Sequence, residues 1–474
     1  MIQKIVTKKE SKKMSICSRI FAACSLVLLT SAGAFGASVF PGVVRTSAGE
    51  ADFTIELTPE EYAAVKAEPR AILYVARNDR RLSSGKGGAG RGWQKCKYHM
   101  EGQTIKLRLP VKDEIQRTLI MYVPPVEKKR GVKGTTIFTA AFYPVDDDLF
   151  RRFPLKGDFH SHSSESDGKY DPETVGAHGR KAGLDFLALT DHYQLAPSVT
   201  LLKNFERFSL SSYLLLPGEE FHSKPTVLHS VAIGHSRGVN DWSNAHVEEF
   251  EQEVKAAGKI FEDQGLNKFE LYATACAEVL YNKAREFGAR LVIFSHPYNR
   301  PGHRFNAPPA HVDALLKRRN FDAIELGYGL QNRTVFTTLA KLRDEAREGR
   351  FYPVVGVSDA HDTSTRLGYS CTIAFAPTPD LDGIADAVKN DFSVVGRLAE
   401  KDGAIFLGNF RLVNFAYFLH EFYFPRHDEI CRRQGETILK WLETREAEKL
   451  RDTKQELEKQ QQELNEYQQK FWAH

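Results

Sequence analysis

The sequence predicts an α/β protein with a central β/α barrel, a small β-rich domain before it and a helix at the C-terminus. Three observations lead to this fold class. Short β-branched and aromatic runs fill residues 40–150, apolar strands alternate with helical stretches over 156–396, and the tail 430–474 is charged and almost free of glycine and proline. A chain of 474 residues also has room for about two to four domains.

The first 36 residues have the pattern of a signal peptide. Lysines precede an apolar stretch, Ile20–Leu29, and small residues around Ala34-Phe35-Gly36 follow it. This order is typical of a cleaved export signal, and the apolar stretch is too short to span a bilayer. We therefore expect 1–36 to be removed and the protein to be exported, to the periplasm or outside the cell, with no stable membrane span. An uncleaved anchor and a true start at Met14 are the alternatives.

Charge and cysteine content point away from some partners and cofactors. The net charge of +4 is small for this length and gives no basis for a nucleic-acid or anionic-membrane partner. Four cysteines remain beyond the predicted signal, and none forms a C-x-x-C pair. We expect buried free thiols, although an exported chain can also form disulfides. The four are Cys96, Cys276, Cys371 and Cys431.

Residues 40–150 are predicted to form a small antiparallel domain such as a sandwich. The expected strands are Asp52–Leu57, Ala71–Ala76, Thr104–Leu109, Thr118–Val123 and Thr135–Phe142. The segment Ser83–Gly92 contains a G-x-G-x-x-G pattern, which in a nucleotide-binding fold is followed by a helix. No helical pattern follows it here, so we interpret it as a flexible loop.

Buried strands alternate with helical stretches over residues 156–396. Asp171-Pro172-Glu173 supplies an N-cap, a first-turn proline and a first-turn acid, so a helix begins there. Strands are expected at Phe186–Leu189, Tyr213–Leu216, Val231–Ile233, Leu291–Phe294, Ala323–Leu326 and Val354–Val357, and helices at Asn244–Gln264 and Tyr272–Phe287. This alternation indicates βα units around a parallel sheet. Polar residues after the strands indicate a barrel with its site at the strand C-terminal ends.

Histidine and acidic side chains recur at or just beyond these strand ends. They are His160, His162, Asp167, Asp191, His192, Glu219, Glu220, His229, His296, Asp359 and His361. A single histidine at a strand end is more often a hydrogen-bonded surface residue than a ligand, but recurrence along the barrel favours metal. Imidazole together with carboxylate suits Zn, Mn or Fe rather than Ca or Mg alone. About eight or nine ligands from this set would fill two or three sites, with a carboxylate bridging two ions.

The order of these residues resembles that of the PHP superfamily, the polymerase and histidinol phosphatase group of metallohydrolases. The matching motifs are His160-x-His162 with Ser166-Asp167-Gly168, Thr190-Asp191-His192, Pro217-Gly218-Glu219-Glu220, Ser295-His296-Pro297 and Ser358-Asp359-Ala360-His361. Gly-Leu-Asp-Phe before Leu-Thr-Asp-His, and Leu-Pro-Gly-Glu-Glu, are similar to the carbaryl-hydrolase-like branch. The resemblance covers residues 156–396, about half of the chain.

The resemblance implies a distorted (β/α)7 barrel with up to three divalent ions. Carried over by position, it implies one ion at His160, His162, Glu220 and Asp359, a second at Glu220, His229 and His296, and a third at Asp167, His192 and His361. The family pattern selects Glu220 over Glu219, while His222 and His235 are alternatives to His229. Asp191 is expected to orient a ligand or cap its loop. One departure is Val357-Ser358-Asp359, where related sequences have Gly-Ser-Asp.

The expected activity is hydrolysis of a small-molecule phosphomonoester or phosphodiester by a metal-bound hydroxide, with about two to three Zn, Mn or Fe ions. No serine or cysteine stands out as a nucleophile, so no catalytic side chain is assigned. Arg300, His303 and Arg304 are expected to bind phosphate, with a solvated basic loop as the alternative. A carbamate, amide or carboxylic ester hydrolase on the same site, and a non-catalytic binding module, are the competing functions.

The tail is predicted to be helical. Leu450, Leu457, Leu464 and Phe471 recur every seven residues, but the companion positions are polar, which weakens a coiled-coil interpretation. We expect one amphipathic helix that packs on the body of the protein, or a helix through which weak homo-oligomers form.

Overall fold

The computed structural model describes residues 36–78, 92–126, 134–222, 228–298, 307–326, 332–399 and 403–472. Three sequence-based expectations lie outside these ranges: the signal peptide 1–36 apart from its last residue, most of the segment Ser83–Gly92, and the basic residues Arg300, His303 and Arg304. None of the described helices is both long and apolar enough to cross a membrane.

Two β-sheets make up the N-terminal region. The strands are β1 (Ser38–Phe40), β2 (Val43–Arg45), β3 (Glu50–Glu56), β4 (Ile72–Arg77), β5 (Gln94–Lys95), β6 (His99–Glu101), β7 (Thr104–Pro110), β8 (Arg117–Val123) and β9 (Thr135–Val145). One sheet has the order β1-β3-β7-β6 and the other the order β2-β9-β8-β4-β5. Side chains of both sheets share one core, in which the rings of Phe53 and Phe142 lie 4.2 Å apart. The predicted strands therefore form two packed layers.

Among the described residues beside these sheets are the helices α1 (Pro59–Ala67) and α2 (Asp147–Phe150). The start of α1 is set by a capping box, in which the Thr58 hydroxyl accepts from the Glu61 amide and the Glu61 carboxylate accepts from the Thr58 amide. Two backbone donors at the helix start are satisfied in this way.

A ten-stranded sheet forms the central part of the molecule. Its strands are β10 (Phe153–Asp158), β11 (Phe186–Leu189), β12 (Leu214–Phe221), β13 (Ser230–Ile233), β14 (Leu291–Phe294), β15 (Ala323–Glu325), β16 (Val354–Val355), β17 (Ser370–Ala376), β18 (Ser393–Arg397) and β19 (Ile405–Gly408). Their order is β16-β15-β14-β13-β12-β11-β10-β17-β18-β19. Cα atoms of β16 and β18 approach within 8 Å, so the sheet curls into a nearly closed, barrel-like form.

The sheet is mixed, which differs from the uniformly parallel sheet expected from the alternation of strands and helices. Strands β10, β11 and β12 run parallel, as do β14, β15 and β16, but β13 runs antiparallel to both its neighbours. Only residues 222–229 separate β12 from β13, and a parallel crossover needs about a dozen residues or more. The short connection therefore reverses the chain.

The central sheet is covered by helices that lie between its strands in the sequence. They are α3 (Pro172–Lys181), α4 (Ala196–Phe205), α5 (Val239–Ala245), α6 (Val247–Gly258), α7 (Lys268–Glu286), α8 (Pro309–Arg318), α9 (Asn332–Arg347), α10 (Thr363–Arg366) and α11 (Leu381–Lys389). Asp171 caps α3 as predicted, because its carboxylate accepts from the Thr174 amide. The helix expected over Asn244–Gln264 is instead the pair α5 and α6, followed by a 3₁₀ segment, Lys259–Gln264.

Three helices end the chain: α12 (Phe410–Phe422), α13 (Phe424–Thr444) and α14 (Ala447–Phe471). The heptad residues Leu457, Leu464 and Phe471 of α14 are buried inside this chain. The Phe471 carbonyl accepts from the Gly42 amide at 2.8 Å, so the tail returns to the N-terminal sheets. A helix that packs on the body, one of the two expected forms, is what the structure contains.

Candidate metal centre

The candidate ligands come together at one edge of the central sheet. His160 and His162 follow β10, His192 follows β11, and His296 follows β14. His229 precedes its strand, but β13 runs antiparallel, so the start of β13 lies at the same edge as the ends of its neighbours. A bridge between Ser161 and Ala360 joins two loops beyond the strands, and a bridge between His192 and Glu220 joins a third loop to β12. The sheet therefore delivers side chains from distant segments to one place.

The innermost group consists of His160, His162, Glu220 and Asp359. Nε2 of His162 lies 2.9 Å from Oδ1 of Asp359, and Nε2 of His160 lies 3.1 Å from Oε2 of Glu220. The side chains of the two histidines are 0% exposed, that of Glu220 1% and that of Asp359 7%. Four ligand atoms therefore converge in a space that excludes bulk water.

Glu220 also belongs to a second group, with His192 and His229. Its Oε1 lies 2.8 Å from Nδ1 of His229, and its Oε2 lies 2.8 Å from Nδ1 of His192. Nε2 of His296 lies 3.5 Å from the same Oε1. One carboxylate therefore faces two sets of imidazoles, which is the geometry of a bridging ligand.

The third group contains His162, Asp167, His192 and His361 and opens to solvent. Oδ2 of Asp167 lies 3.2 Å from Nε2 of His361 and 3.5 Å from Nε2 of His192. The Asp167 side chain is 52% exposed and that of His361 is 41% exposed. A molecule in solution therefore meets this group first.

The donor set fits divalent ions. Buried Nδ1 of His162 and Oε2 of Glu220 make no hydrogen bond with the described residues, although three imidazole nitrogens lie within 3.4 Å of that oxygen. Nε2 of His160 and Nε2 of His162 face each other at 3.1 Å. Unpaired lone pairs at this depth are costly unless a cation satisfies them. Imidazole and carboxylate donors in this mixture suit Zn, Mn or Fe.

The histidines around Glu220 keep its carboxylate ionised. Burial alone would raise the pKa of Glu220, but the neighbouring His160 and His229 outweigh burial and hold it well below its usual range. Burial would lower the pKa of His192, but contacts with Asp167 and Glu220 raise it to about 10, so this ring must lose a proton when it binds an ion. A carboxylate without its proton is the form that binds a cation.

Backbone strain concentrates beside the centre. Tyr193, His296 and Asp359 have φ angles of 64°, 27° and 49°, in the left-handed region that residues other than glycine rarely adopt. The Tyr193 amide donates to the Glu220 carbonyl at 3.0 Å, which helps to hold this arrangement. Strain of this kind persists where surrounding contacts impose it and is frequent at functional sites.

The structure separates the two adjacent glutamates of β12. Glu220 faces the centre, whereas the Glu219 carboxylate accepts from the amides of Val239 and Asn240 and contacts Nε2 of His235 at 3.2 Å. Neighbouring residues of a strand point to opposite faces, so only one of the two can serve the site. His235, an alternative to His229, accordingly lies with Glu219 on the far side.

His222 and Asp191 lie beside the centre and contact its ligands or their loops. The ring of His222, the second alternative to His229, stacks on the ring of His229 with centroids 4.4 Å apart. The Asp191 carboxylate accepts from the amide and hydroxyl of Ser163 and from the Ser166 hydroxyl. Asp191 therefore caps the loop that carries Asp167, as one of its two expected roles requires.

Two further buried acids of the centre, Glu325 and Asp158, stand outside the sequence motifs. Oε1 of Glu325, at the end of β15, lies 2.7 Å from Nδ1 of His160. The Asp158 carboxylate accepts from the amides of His160 and Ser358. The available signal was the presence of Glu325 within Ala323–Leu326, a strand that is otherwise apolar.

Comparisons with known proteins find distant structural likeness. No protein-family model and no curated protein matches the chain. One similar structure is a two-domain protein from Bacteroides vulgatus that contains a predicted PHP-like metal-dependent phosphoesterase. It is 20% identical with a TM-score of 0.37, and the match covers 52% of this chain and 65% of that chain. The match therefore spans less than two thirds of the length of the Bacteroides protein. A putative metal-dependent phosphoesterase from Bifidobacterium adolescentis is 16% identical with a TM-score of 0.32, over 49% of this chain and 94% of that one.

A third similar structure is an amidohydrolase from Chromobacterium violaceum with bound sulfate and no metal. It is 16% identical with a TM-score of 0.29, over 45% of this chain and 89% of that one. At these values the likeness carries no argument about activity or family. The described part of this chain has a mixed α/β fold and, at one edge of its central sheet, three groups of histidine and acidic residues that could hold metal ions.

Proposed function

We propose that this protein is a metal-dependent hydrolase that cleaves a phosphoester of a small molecule. The observation that supports the proposal best is the position of Glu220, whose two carboxylate oxygens each face imidazole nitrogens of a different set. The nine residues His160, His162, Asp167, His192, Glu220, His229, His296, Asp359 and His361 would hold about two to three divalent ions. When bound, such ions act as Lewis acids that polarise a phosphoryl oxygen and activate water.

The side chains around the centre differ in burial, and this gives them different roles. The inner histidines and Glu220 are almost fully buried, so they exclude bulk water and keep their donor atoms fixed. The half-exposed pair Asp167 and His361 forms the side from which a substrate would approach. Two serine hydroxyls near the centre are engaged, since that of Ser163 donates to Asp191 and that of Ser358 donates to the His160 carbonyl. These contacts agree with a reaction that uses no serine nucleophile.

The neighbouring cation sites favour phosphoester cleavage over the alternatives. Neighbouring cation sites suit an in-line displacement, because both the attacking and the leaving oxygen gain negative charge. Hydrolysis of a carbamate, amide or carboxylic ester needs charge stabilisation at one developing oxyanion, so it remains the alternative on the same site. A binding module without activity would have no need for the complete donor set. We also propose that the protein is exported, and the support for this is the pattern of residues 1–36 alone.

Metal analysis and a small substrate panel test the proposal. Protein prepared without chelators should contain about two to three Zn, Mn or Fe ions per chain and should hydrolyse p-nitrophenyl phosphate or bis-p-nitrophenyl phosphate faster than a naphthyl carbamate. A carbamate preference would establish the alternative activity, and protein that binds no metal would refute the central claim.

Two histidine variants make the test specific to the site. His160→Ala should lose activity and keep its fold, because the ring at this position reaches the centre. His311→Ala is the matched control, since His311 is also a buried histidine, on α8, and belongs to none of the three groups. Wild-type activity in His160→Ala as well as in His311→Ala would show that the chemistry occurs elsewhere.

A further inference from the structure

Glu325 is a buried carboxylate at the back of the metal centre. It ends β15, the strand between β14 and β16, and its side chain is 0% exposed. Within the described ranges no lysine or arginine pairs with it. A carboxyl group at such depth needs hydrogen-bond donors around it, and the two donors that the described residues offer belong to His160 and His296 of the centre.

The first donor is the ring of His160. Nδ1 of His160 lies 2.7 Å from Oε1 of Glu325, so the Nδ1 proton is donated to the carboxylate. A neutral imidazole carries one proton, and a proton fixed on Nδ1 leaves the Nε2 lone pair free. That Nε2 points at Oε2 of Glu220 and Oδ1 of Asp359, 3.1 Å and 3.3 Å away. Glu325 therefore sets both the tautomer and the direction of the ring.

The second donor is the backbone of His296. Its amide donates to Oε2 of Glu325 at 3.0 Å. His296 has a φ of 27°, a conformation that a residue with a side chain rarely adopts without support. The hydrogen bond to Oε2 of Glu325 supplies that support, and the conformation directs Nε2 of His296 towards Oε1 of Glu220. One carboxylate thus fixes the side chain of one ligand and the main chain of another.

We propose that Glu325 is a positioning residue of the metal centre, which holds His160 and His296 in the geometry that binds the ions. The inference rests on the proposed function only in requiring that the chain binds metal, and it does not depend on which bond is cleaved. Glu325 touches neither substrate nor ion in this role. Its effect is therefore on metal affinity first and on turnover second.

Glu325→Gln is the variant that tests the role, and Glu219→Gln is its matched control. A glutamine keeps one acceptor oxygen for His160, but its amide group cannot accept from the His296 amide. Glu219 is equally buried, contacts a histidine ring and accepts from two backbone amides, and it points away from the centre. The two variants thus make the same chemical change at two similar buried positions, and only one of them supports the ligands.

The measurement is the affinity of the purified full chain for Zn²⁺ alone, by competition with a chromogenic chelator. Glu325→Gln should weaken at least one Zn²⁺ site by about 10- to 100-fold, and Glu219→Gln should stay close to wild type. The visible spectrum of the Co²⁺-loaded protein should change in Glu325→Gln alone, because it reports ligand geometry. Thermal melting of the metal-free forms should show both variants folded.

The outcomes separate this inference from the proposed function. Zn²⁺ affinity and Co²⁺ spectrum both equal to wild type in folded Glu325→Gln would overturn the positioning role. Should that variant fail to fold, Glu325→Asp, which keeps the charge and shortens the reach, is expected to fold and to lose affinity, and unchanged affinity would overturn the role. Wild-type protein that binds no Zn²⁺ or Co²⁺ would overturn both proposals. Wild-type protein that binds metal and hydrolyses none of the phosphoesters would overturn the reaction alone.

Discussion

Nε2 of His162 lies 2.9 Å from Oδ1 of Asp359, although 197 residues separate the two in the sequence. The strands that precede them, β10 and β16, are not neighbours in the sheet. They meet because the sheet curls and because the His162 amide donates to the Ala360 carbonyl at 3.1 Å. Assembly of the inner group therefore depends on the closure of the barrel-like sheet.

Replacing Asp359 by asparagine should remove an ion from the inner group while the backbone stays in place. Asparagine tolerates the left-handed conformation that Asp359 adopts at a φ of 49°, but it lacks the charge that balances a cation. We expect kcat to fall by more than about 100-fold, beyond the usual cost of disturbing a ligand's outer partner. Metal content and turnover of a phosphoester measure this.

Asp391→Asn is the control for that variant. Asp391 also has a positive φ, 58°, but it lies between α11 and β18 and belongs to none of the three groups. It should keep wild-type metal content and turnover. An equal loss in both variants would attribute the effect to the backbone rather than to the missing ligand.

Replacing Asp167 by asparagine should affect mainly the outer group, which shares His162 and His192 with the other two. Asp167 is half-exposed and contacts His192 and His361, whereas the inner group does not include it. We expect the ion content after desalting to fall by about one per chain, with a smaller loss of kcat than in Asp359→Asn. Complete loss of metal would show that the groups do not bind independently.

The ligand set could be predicted from the sequence because its members stand in short motifs just beyond apolar strands. His160 and His162 mark one strand end, and Asp359 and His361 mark another. The structure brings all nine predicted ligand residues together, although their binding of ions stays a prediction. The choice between Glu219 and Glu220 could not be made from composition, since it depends on which face of β12 turns towards the other strands.

Other features depend on contacts that no local pattern encodes. Glu325 contacts His160 across 165 positions, and nothing in the sequence near β15 identifies its partner. The sequence of β13 does not predict its reversed direction, because a short apolar strand has the same pattern in either direction. Only the short connection before β13 indicates the reversal. The alternation of strands and helices predicts the α/β class. The direction in which each strand runs relative to its neighbours cannot be predicted in this way, because it depends on how whole strands pair.

The C-terminal helix should contribute stability rather than association. Leu464 is 0% exposed and packs with Ile430 and Cys431 of α13 in the same chain. Leu464→Ala should therefore lower the free energy of unfolding by about 2–5 kcal/mol, measured with urea, while light scattering gives an unchanged mass. Leu450→Ala, at a less buried heptad position, should cost less. A fall in mass with little loss of stability would instead support the oligomer interpretation of the tail.

A buried polar network joins α13 to the central sheet. Nε2 of His427 lies 2.8 Å from Oδ1 of Asp185, and Nδ1 of His427 lies 2.9 Å from Oδ1 of Asp428. Lys156 pairs with Asp428 at 2.6 Å, and Arg180 lies 3.4 Å from Asp185. Tyr423 and Cys431 complete the surroundings of the ring. Burial would lower the pKa of His427, but Asp185 outweighs burial and raises it well above the usual value.

This raised pKa predicts how stability changes with pH. A histidine whose pKa is higher in the folded than in the unfolded state stabilises the folded protein when it is protonated. This contribution is complete below the pKa of the unfolded state, about 6.5, and is lost as the pH rises through the pKa of the folded state. His427→Gln should therefore lower the free energy of unfolding more at pH 6 than at pH 9. At pH 6 we expect a loss of about 3 kcal/mol, the low end for breaking a buried pair, because Arg180 still neutralises Asp185. Urea unfolding of both proteins at the two pH values measures this, and a loss independent of pH would contradict a charged His427.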